Sequence, residues 1–162
     1  MLAKIRFHDK GIGHTLPKLI DLGRFSEEDI RQRMVEYGHD YHSTLLIVRI
    51  DDWDIDCNLN LKQAYSLLQL INDVYAGDAF LVSYLLKKRV AFSDIMSNRY
   101  RFLSKDEVET MSKVADYYDS DVLVKIFFQT KNWVNFMCAF IDRGDLLNTS
   151  RGFYWRVDKD AS

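Results

Sequence analysis

The sequence predicts an α+β protein with three modules. These are a small β-sheet and helix module over 1–60, a helical module over 61–119, and a closing α+β module over 120–162. Three observations carry that expectation. Residues 52–60 alternate strictly between polar and apolar, as a half-buried strand does. The middle of the chain has apolar residues at helical spacing behind recognisable caps. The chain closes on "GFYWRV", rich in the aromatic and β-branched residues that strands favour.

The elements follow in order. "AKIRF" (3–7) alternates and reads as an opening strand. "HDKGIGHTLPKL" reads as a loop, punctuated by Gly11, Gly13 and Pro17. Ser26 followed three residues later by Asp29 predicts a helix over 27–37. Glu27, Glu28 and Asp29 suit its positive end, Ile30, Met34 and Tyr37 form its stripe, and Gly38 stops it. "STLLIVRI" (43–50) reads as a buried strand. Asp51 and Asp52 read as the turn of a hairpin leading into the alternating strand. There Trp53, Ile55, Cys57 and Leu59 take one face, and Asp52, Asp54, Asp56, Asn58 and Asn60 the other.

Asn60 and Gln63 form a second capping pair. Ala64, Leu67, Leu68, Ile71 and Tyr75 make the stripe of a helix that ends before Gly77. Asp78 opens another helix, whose end collects Lys87, Lys88 and Arg89. "FSDIMSN" reads as further helical turns. "SKDE" (104–107) predicts a capping box between Ser104 and Glu107 and a helix through Tyr118. "DVLVKIFF" (121–128) fits a helix or a strand. "NWVNFMCAFID" reads as a helix stopped at Gly144.

Composition narrows the function classes. Hydrophobic residues at 48% and charged residues at 28% are ordinary for a globular chain. Two distant cysteines, Cys57 and Cys138, argue against a disulfide framework or a zinc site and for a reducing, cytoplasmic setting. No apolar run approaches a signal peptide or a membrane span, so no membrane partner is expected. Net charge is −2, unevenly spread: +3 over residues 1–20, −7 over 21–82, +3 over 83–115 and −1 beyond. Such asymmetry bears on partners and association rates.

No catalytic motif is spelled out, and neither a catalytic residue nor a cofactor is expected. Asp52, Asp54 and Asp56 have the early spacing of a calcium loop, but Cys57 stands where its glycine is needed and Gln63 where its bidentate glutamate belongs. Two-metal nuclease chemistry needs carboxylates that converge, whereas alternate strand residues point outward in parallel. His39 and His42 have H-x-x-H spacing without a third ligand and read as solvated side chains, so no metal is expected. Lys87, Lys88, Arg89, Arg99, Arg101 and Lys105 form a basic patch near Tyr100 and Phe102, an alternative site for nucleic-acid phosphates. The net charge makes that reading secondary, and direct nucleic-acid binding is not the expectation.

The stretches "LIDLGRFSEEDIRQRM", "LLIVRIDDWDIDCNLNLKQAYSLLQLIND", "LSKDEVETMSKVADYY" and "GFYWRV" together resemble the ArdA-type antirestriction proteins of plasmids, transposons and phages. The resemblance implies a non-enzymatic anti-defence inhibitor in the host bacterial cytoplasm and a homodimer. It also implies an acidic surface that imitates DNA in the groove of a type I restriction-modification enzyme. The expected partner-binding residues are Glu27, Glu28, Asp29, Glu36, Asp51, Asp52, Asp54, Asp56, Asp73 and Asp78. Duplex DNA carries a charge about every 1.7 Å of axis, while alternate strand residues lie roughly 6.7 Å apart. One strand is therefore too sparse, and mimicry needs these acids to share a surface or two subunits to join. A net charge of −2 also leaves room for another target, a CRISPR effector protein among them.

Overall fold

The computed structural model describes residues 1–157. The fold is α+β, with helices and two open antiparallel sheets. The chain divides into two compact units, Met1–Met96 and Ser97–Ser162.

In the first unit, β1 (Leu2–Asp9) buries Ala3, Ile5 and Phe7 and turns Leu2, Lys4, Arg6 and His8 outward. Period-two alternation with one apolar face produces that pattern. The predicted loop that follows is a correction: β2 (Ile12–Thr15) returns antiparallel to β1, with Asp9 opposite Ile12. Lys10 and Gly11 make the two-residue turn, both left-handed at φ 51° and 80°. Such turns match strand twist, and glycine fits them without a side-chain clash. A short β3 (Ile20–Asp21) also pairs with β1.

Helix α1 (Glu27–Glu36) starts as expected from a reciprocal Ser26–Asp29 capping box and buries Ile30 and Met34. β4 (Leu45–Ile50) lies between β1 and β5 (Ile55–Asn60), giving the order β2-β1-β4-β5. The expected strand over 52–60 is shorter than its alternation implied. Asp51–Trp53 form a 3₁₀ turn and Asp54 is left-handed at φ 53°, so pleated backbone begins at Ile55. A short acidic side chain tolerates that conformation better than most.

Asn60 ends β5 and caps α2 (Leu61–Tyr75): its Oδ1 accepts from Gln63 N at 2.8 Å, and Gln63 Oε1 accepts from Asn60 N at 3.0 Å. Helix α2 packs on β4 and β5 through Leu61, Ala64, Leu67, Leu70 and Ile71. Asp78 accepts from Phe80 N at the start of α3 (Phe80–Lys87), and α4 (Phe92–Ser97) follows.

In the second unit, β6 (Arg99–Ser104), β8 (Gly152–Val157) and β7 (Leu146–Thr149) form a sheet in the order β6-β8-β7. Strands β6 and β7 are additions to the predicted element order. Gly152 is required where β8 meets β6: at φ 122°, a Cβ there would lie 2.6 Å from the Ser104 carbonyl oxygen.

The predicted Ser104–Glu107 box is corrected by two residues. Asp106 caps α5 (Glu107–Ala115), accepting from Glu109 N at 2.8 Å, while Ser104 Oγ donates to Glu109 Oε2 and accepts from Asp106 N. The ambiguous 121–128 stretch is helical, within α6 (Ser120–Thr130), and α7 (Trp133–Asp142) follows from an Asn132 cap. The core gathers Val114, Phe136, Phe140, Leu146, Phe153 and Trp155. Phe140 meets Tyr118, Phe136 and Trp155 at ring separations of 5.6, 5.1 and 5.6 Å, distances at which edge-to-face pairs attract.

Candidate functional site

The acidic turn between β4 and β5 is built around Arg49. A register shift in the β4–β5 ladder, after Ile47 pairs with Leu59, sets Arg49 opposite Asp56. Bulges of this kind re-aim side chains. Arg49 Nη1 donates to Asp56 Oδ1 at 3.0 Å, Nε lies 3.4 Å from Asp51 Oδ1, and Nη2 binds Asp54. Hydrogen bonds to Asp56 and Asp54 hold the guanidinium proton more firmly than usual. The expected outward-pointing row is thereby corrected: Asp51, Asp54 and Asp56 converge on one cation.

Asp54 and Asp56 nonetheless remain 81% and 83% exposed. Asp52 stands apart from them. Its Oδ1 accepts from Leu2 N at 2.8 Å and its Oδ2 lies 3.4 Å from the chain's amino group, so it fastens the start of β1. Arg49 stands where a cation shared by the three aspartates would sit. Among the described residues no group of three or more His, Cys, Asp or Glu could hold a metal ion.

The acids of α1 are largely paired within the fold. Glu27 takes Arg31 Nη2 at 2.8 Å, and Glu28 accepts from Tyr41 Oη at 2.5 Å and from Gln32. The Tyr41 bond, then the Gln32 bond, holds the Glu28 carboxyl below its ordinary range. Asp29 is lowered in the same sense by its bonds to the Ser26 side chain and backbone. Glu36 and Asp73 are exposed on α1 and α2, and Asp78 is exposed while serving the start of α3. The ten acids all lie in the first unit, in two main groups: the α1 start and the β4–β5 turn.

The six bases of the alternative patch belong to different units. Lys87, Lys88 and Arg89 end α3 in the first, where Lys88 Nζ sits 5.7 Å from the Tyr84 ring centre. Arg99 and Arg101 lie on β6, with Lys105 just after it, in the second. Arg101 donates to Tyr117 Oη at 2.6 Å, beside exposed Phe102.

His39 also differs from its expected solvated state. Its Nδ1 lies 3.3 Å from Asp9 Oδ2, and its ring meets Phe7 at 4.7 Å and His14 at 5.6 Å. The hairpin that sequence reasoning missed is what brings Asp9 and His14 to it.

A second feature lies wholly in the second unit. An apolar groove of about 360 Å³ runs between α5 and α7, floored by Met111, Met137 and Phe153. Val108 and Val134 on its rim are each 71% exposed, and Trp133 is 54% exposed. Exposed apolar surface gathered around a groove is characteristic of binding surfaces.

Sequence reasoning missed Arg49. The available signal was its position two residues before Asp51, as the only Lys or Arg from 34 to 61. No protein-family model, no curated protein and no solved structure matches this chain.

Proposed function

We propose that the protein is a non-enzymatic anti-defence inhibitor that binds a host nucleic-acid-targeting enzyme. The observation that carries this reading is the Arg49 hub: it fixes Asp54 and Asp56 in place while leaving their carboxylates mostly exposed. A charged surface organised before binding loses less side-chain freedom on association. It also speeds encounter with a basic groove. A type I restriction-modification complex is the first target, because the resemblance to ArdA-type proteins points there, and a CRISPR effector is the second.

Within this reading the contact is local rather than a full copy of DNA charge, since Arg49 offsets part of the turn's negative charge and Arg31 pairs with Glu27. The second unit supplies self-association through Val108, Trp133 and Val134.

The test is a DNA-cleavage assay with a purified type I enzyme. The unmodified protein should inhibit, and the Asp51→Asn, Asp54→Asn, Asp56→Asn variant should inhibit less while remaining folded. Full inhibition by that folded variant sinks the acidic-turn reading. Absence of inhibition by the unmodified protein moves the assay to CRISPR effectors.

One observation favours a different class. Arg101 is exposed on β6 beside Phe102, itself 47% exposed, and Tyr117, 45% exposed, a basic-aromatic grouping that can take phosphates and stacked bases. Direct binding of single-stranded DNA with a steep salt dependence would support a nucleic-acid-binding regulator instead.

A further inference from the structure

An apolar pocket of about 100 Å³ lies in the first unit, between α1 and the chain running from β2 into β3. Leu16 and Ile20 wall it on one side. Ile30 and Met34 of α1, with its C-cap Tyr37, wall the other. Spacings of four and three residues put those three on one helix face. Ile30 and Met34 belong to the core at 2% and 1% exposure, so the floor of the pocket is fixed by packing.

Arg33 interrupts this apolar stripe. It follows Ile30 by three residues and lines the same pocket. Its situation differs from that of Arg31, which is engaged by Glu27 and by the Tyr41 and Ser43 carbonyls. Arg33 makes no side-chain hydrogen bond and no ion pair with the described residues. An aromatic ring holds it instead: its guanidinium carbon sits 4.4 Å from the centre of the Phe25 ring. A cation–π contact positions a guanidinium without cancelling its charge. The N–H donors of Arg33 therefore stay open.

Lys18 is the second cation on the lining, and it too has no hydrogen bond or ion pair from its side chain among the described residues. No carboxylate lines the pocket. Asp29, one turn before Arg33, is held by Ser26, whose N and Oγ donate to its Oδ2 at 2.8 and 2.7 Å. An apolar recess with two uncommitted cations and no anion of its own is complementary to an apolar anion.

We propose that this pocket binds a small apolar carboxylate. The hydrocarbon enters between Leu16, Ile20 and Met34. The carboxylate takes the planar Arg33 fork, a geometry that suits it, with the Lys18 ammonium as second partner. An apolar cavity of about 150 Å³ takes benzene, so this smaller one suits a branched chain of roughly four or five carbons. The site does not rest on the anti-defence reading, which uses the acidic turn.

An amide and methyl NMR titration of the full chain with 4-methylpentanoate tests it. Saturable shifts are expected at Leu16, Ile20 and Met34. Acetate lacks the hydrocarbon and should bind at least about tenfold more weakly, since each buried methylene contributes roughly fourfold. The neutral 4-methylpentanamide should also bind about tenfold more weakly, the scale of one charge-assisted hydrogen bond. Arg33→Gln should remove most of the preference for the carboxylate while leaving the affinity for the amide unchanged. That split separates recognition of the ligand from a change in fold. Arg33→Lys keeps the charge without the fork and should fall between. Non-saturating shifts, equal binding of acetate or of the amide, or an intact carboxylate preference in Arg33→Gln overturn the site. Tighter binding of a leucine-ended peptide than of 4-methylpentanoate overturns the small-molecule assignment.

Discussion

Arg49 Nη1 lies 3.0 Å from Asp56 Oδ1 across the β4–β5 ladder, and the same guanidinium holds Asp51 and Asp54 from the turn between those strands. One cation therefore sets the geometry of three carboxylates. The turn itself is irregular, a single 3₁₀ turn followed by left-handed Asp54. Its order comes from side-chain pairing as much as from backbone hydrogen bonds. That gives the acidic turn two separable properties, negative charge and fixed shape, which mutation can address one at a time.

Replacing Arg49 with Gln removes the hub and leaves the carboxylates in place. The turn becomes more negative and less ordered. Amide exchange at Asp51–Asp54 should quicken, while the core of the sheet stays protected. Where shape matters for inhibition, Arg49→Gln weakens it despite the added negative charge. Stronger inhibition by this variant would show that charge alone acts. Screening should also shrink any difference in melting temperature between the two proteins as salt rises toward 1 M.

The same cation argues against divalent metals at the turn. Melting curves with millimolar calcium or magnesium should coincide with those in chelator. A specific ligand present at a hundred times its Kd would add about 2.7 kcal/mol, which a melt resolves easily. A clear upward shift contradicts the arrangement around Arg49.

Capping of α5 separates the Ser104–Glu107 box expected from sequence from the Asp106 cap observed. Asp106→Ala should cost about 1 kcal/mol, typical of a lost N-cap. Glu107→Gln should cost less, only the small helix-dipole contribution of a first-turn acid, because Glu107 takes no part in the cap. Equal losses at both positions would restore the Ser104–Glu107 box. Glu109 receives bonds from Lys113 and Ser104 that hold its carboxyl below the ordinary range. Stability from that group is present above the unfolded carboxylate pKa and is lost as pH falls through the lower, folded one. The α5 start should therefore fray on acidification, as should the α1 start, where Glu28 and Asp29 are lowered in the same sense.

The helices were the legible part of the chain. Ser26 with Asp29, Asn60 with Gln63, and the stripes behind them are local signals, so α1 and α2 stand within a residue of where spacing put them. Strands made by pairing were harder. "IGHT" carries no alternation of its own, and its place beside β1 depends on the Lys10–Gly11 turn. β6 and β7 exist because β8 pairs with both, a relation between residues some fifty apart in one case. The acidic turn shows the same limit. Alternation locates Ile55, Cys57 and Leu59 correctly, but period two says nothing of a side chain reaching across from the next strand. Arg49 was missed for that reason, and Asp52 was misread because it sits in the 3₁₀ turn and bonds the start of β1.

Cys57 offers a pH-dependent probe of β5. Burial first, and Asp56 second, push its thiol up to about 11, and its Sγ lies 3.5 Å from the Ile47 carbonyl oxygen. The thiolate is the reactive form. At pH 8 a thiol reagent should modify exposed Cys138 well before Cys57. Because the folded value lies above the unfolded one, the neutral thiol favours the fold below about pH 9. That contribution fades as pH rises from 9 toward 11. Equal labelling rates at pH 8 in the folded protein would remove this account of β5.

Self-association is the last expectation, and its surface can be named. Phe128 is 81% exposed and Trp133 54%. Side chains of this size bury about 150–250 Å² when covered, so Trp133 on the groove leaves more than about 100 Å² of apolar surface in water and Phe128 on α6 a similar amount. Val108 and Val134, each 71% exposed, join Trp133 at the rim of the α5–α7 groove. A standard interface covers about 800 Å² on each partner, with a more apolar centre and a polar rim. The exposed residues are enough for that centre. Sedimentation at micromolar concentration should show twice the 19.1 kDa chain mass. Val134→Asp should return the chain to a monomer, because it sets an unpaired carboxylate at the centre of the contact. Val134 is exposed, so the substitution should leave the fold of the isolated chain within about 0.5 kcal/mol. A monomer across the concentration range, or a dimer indifferent to Val134→Asp, would move the contact elsewhere or remove it.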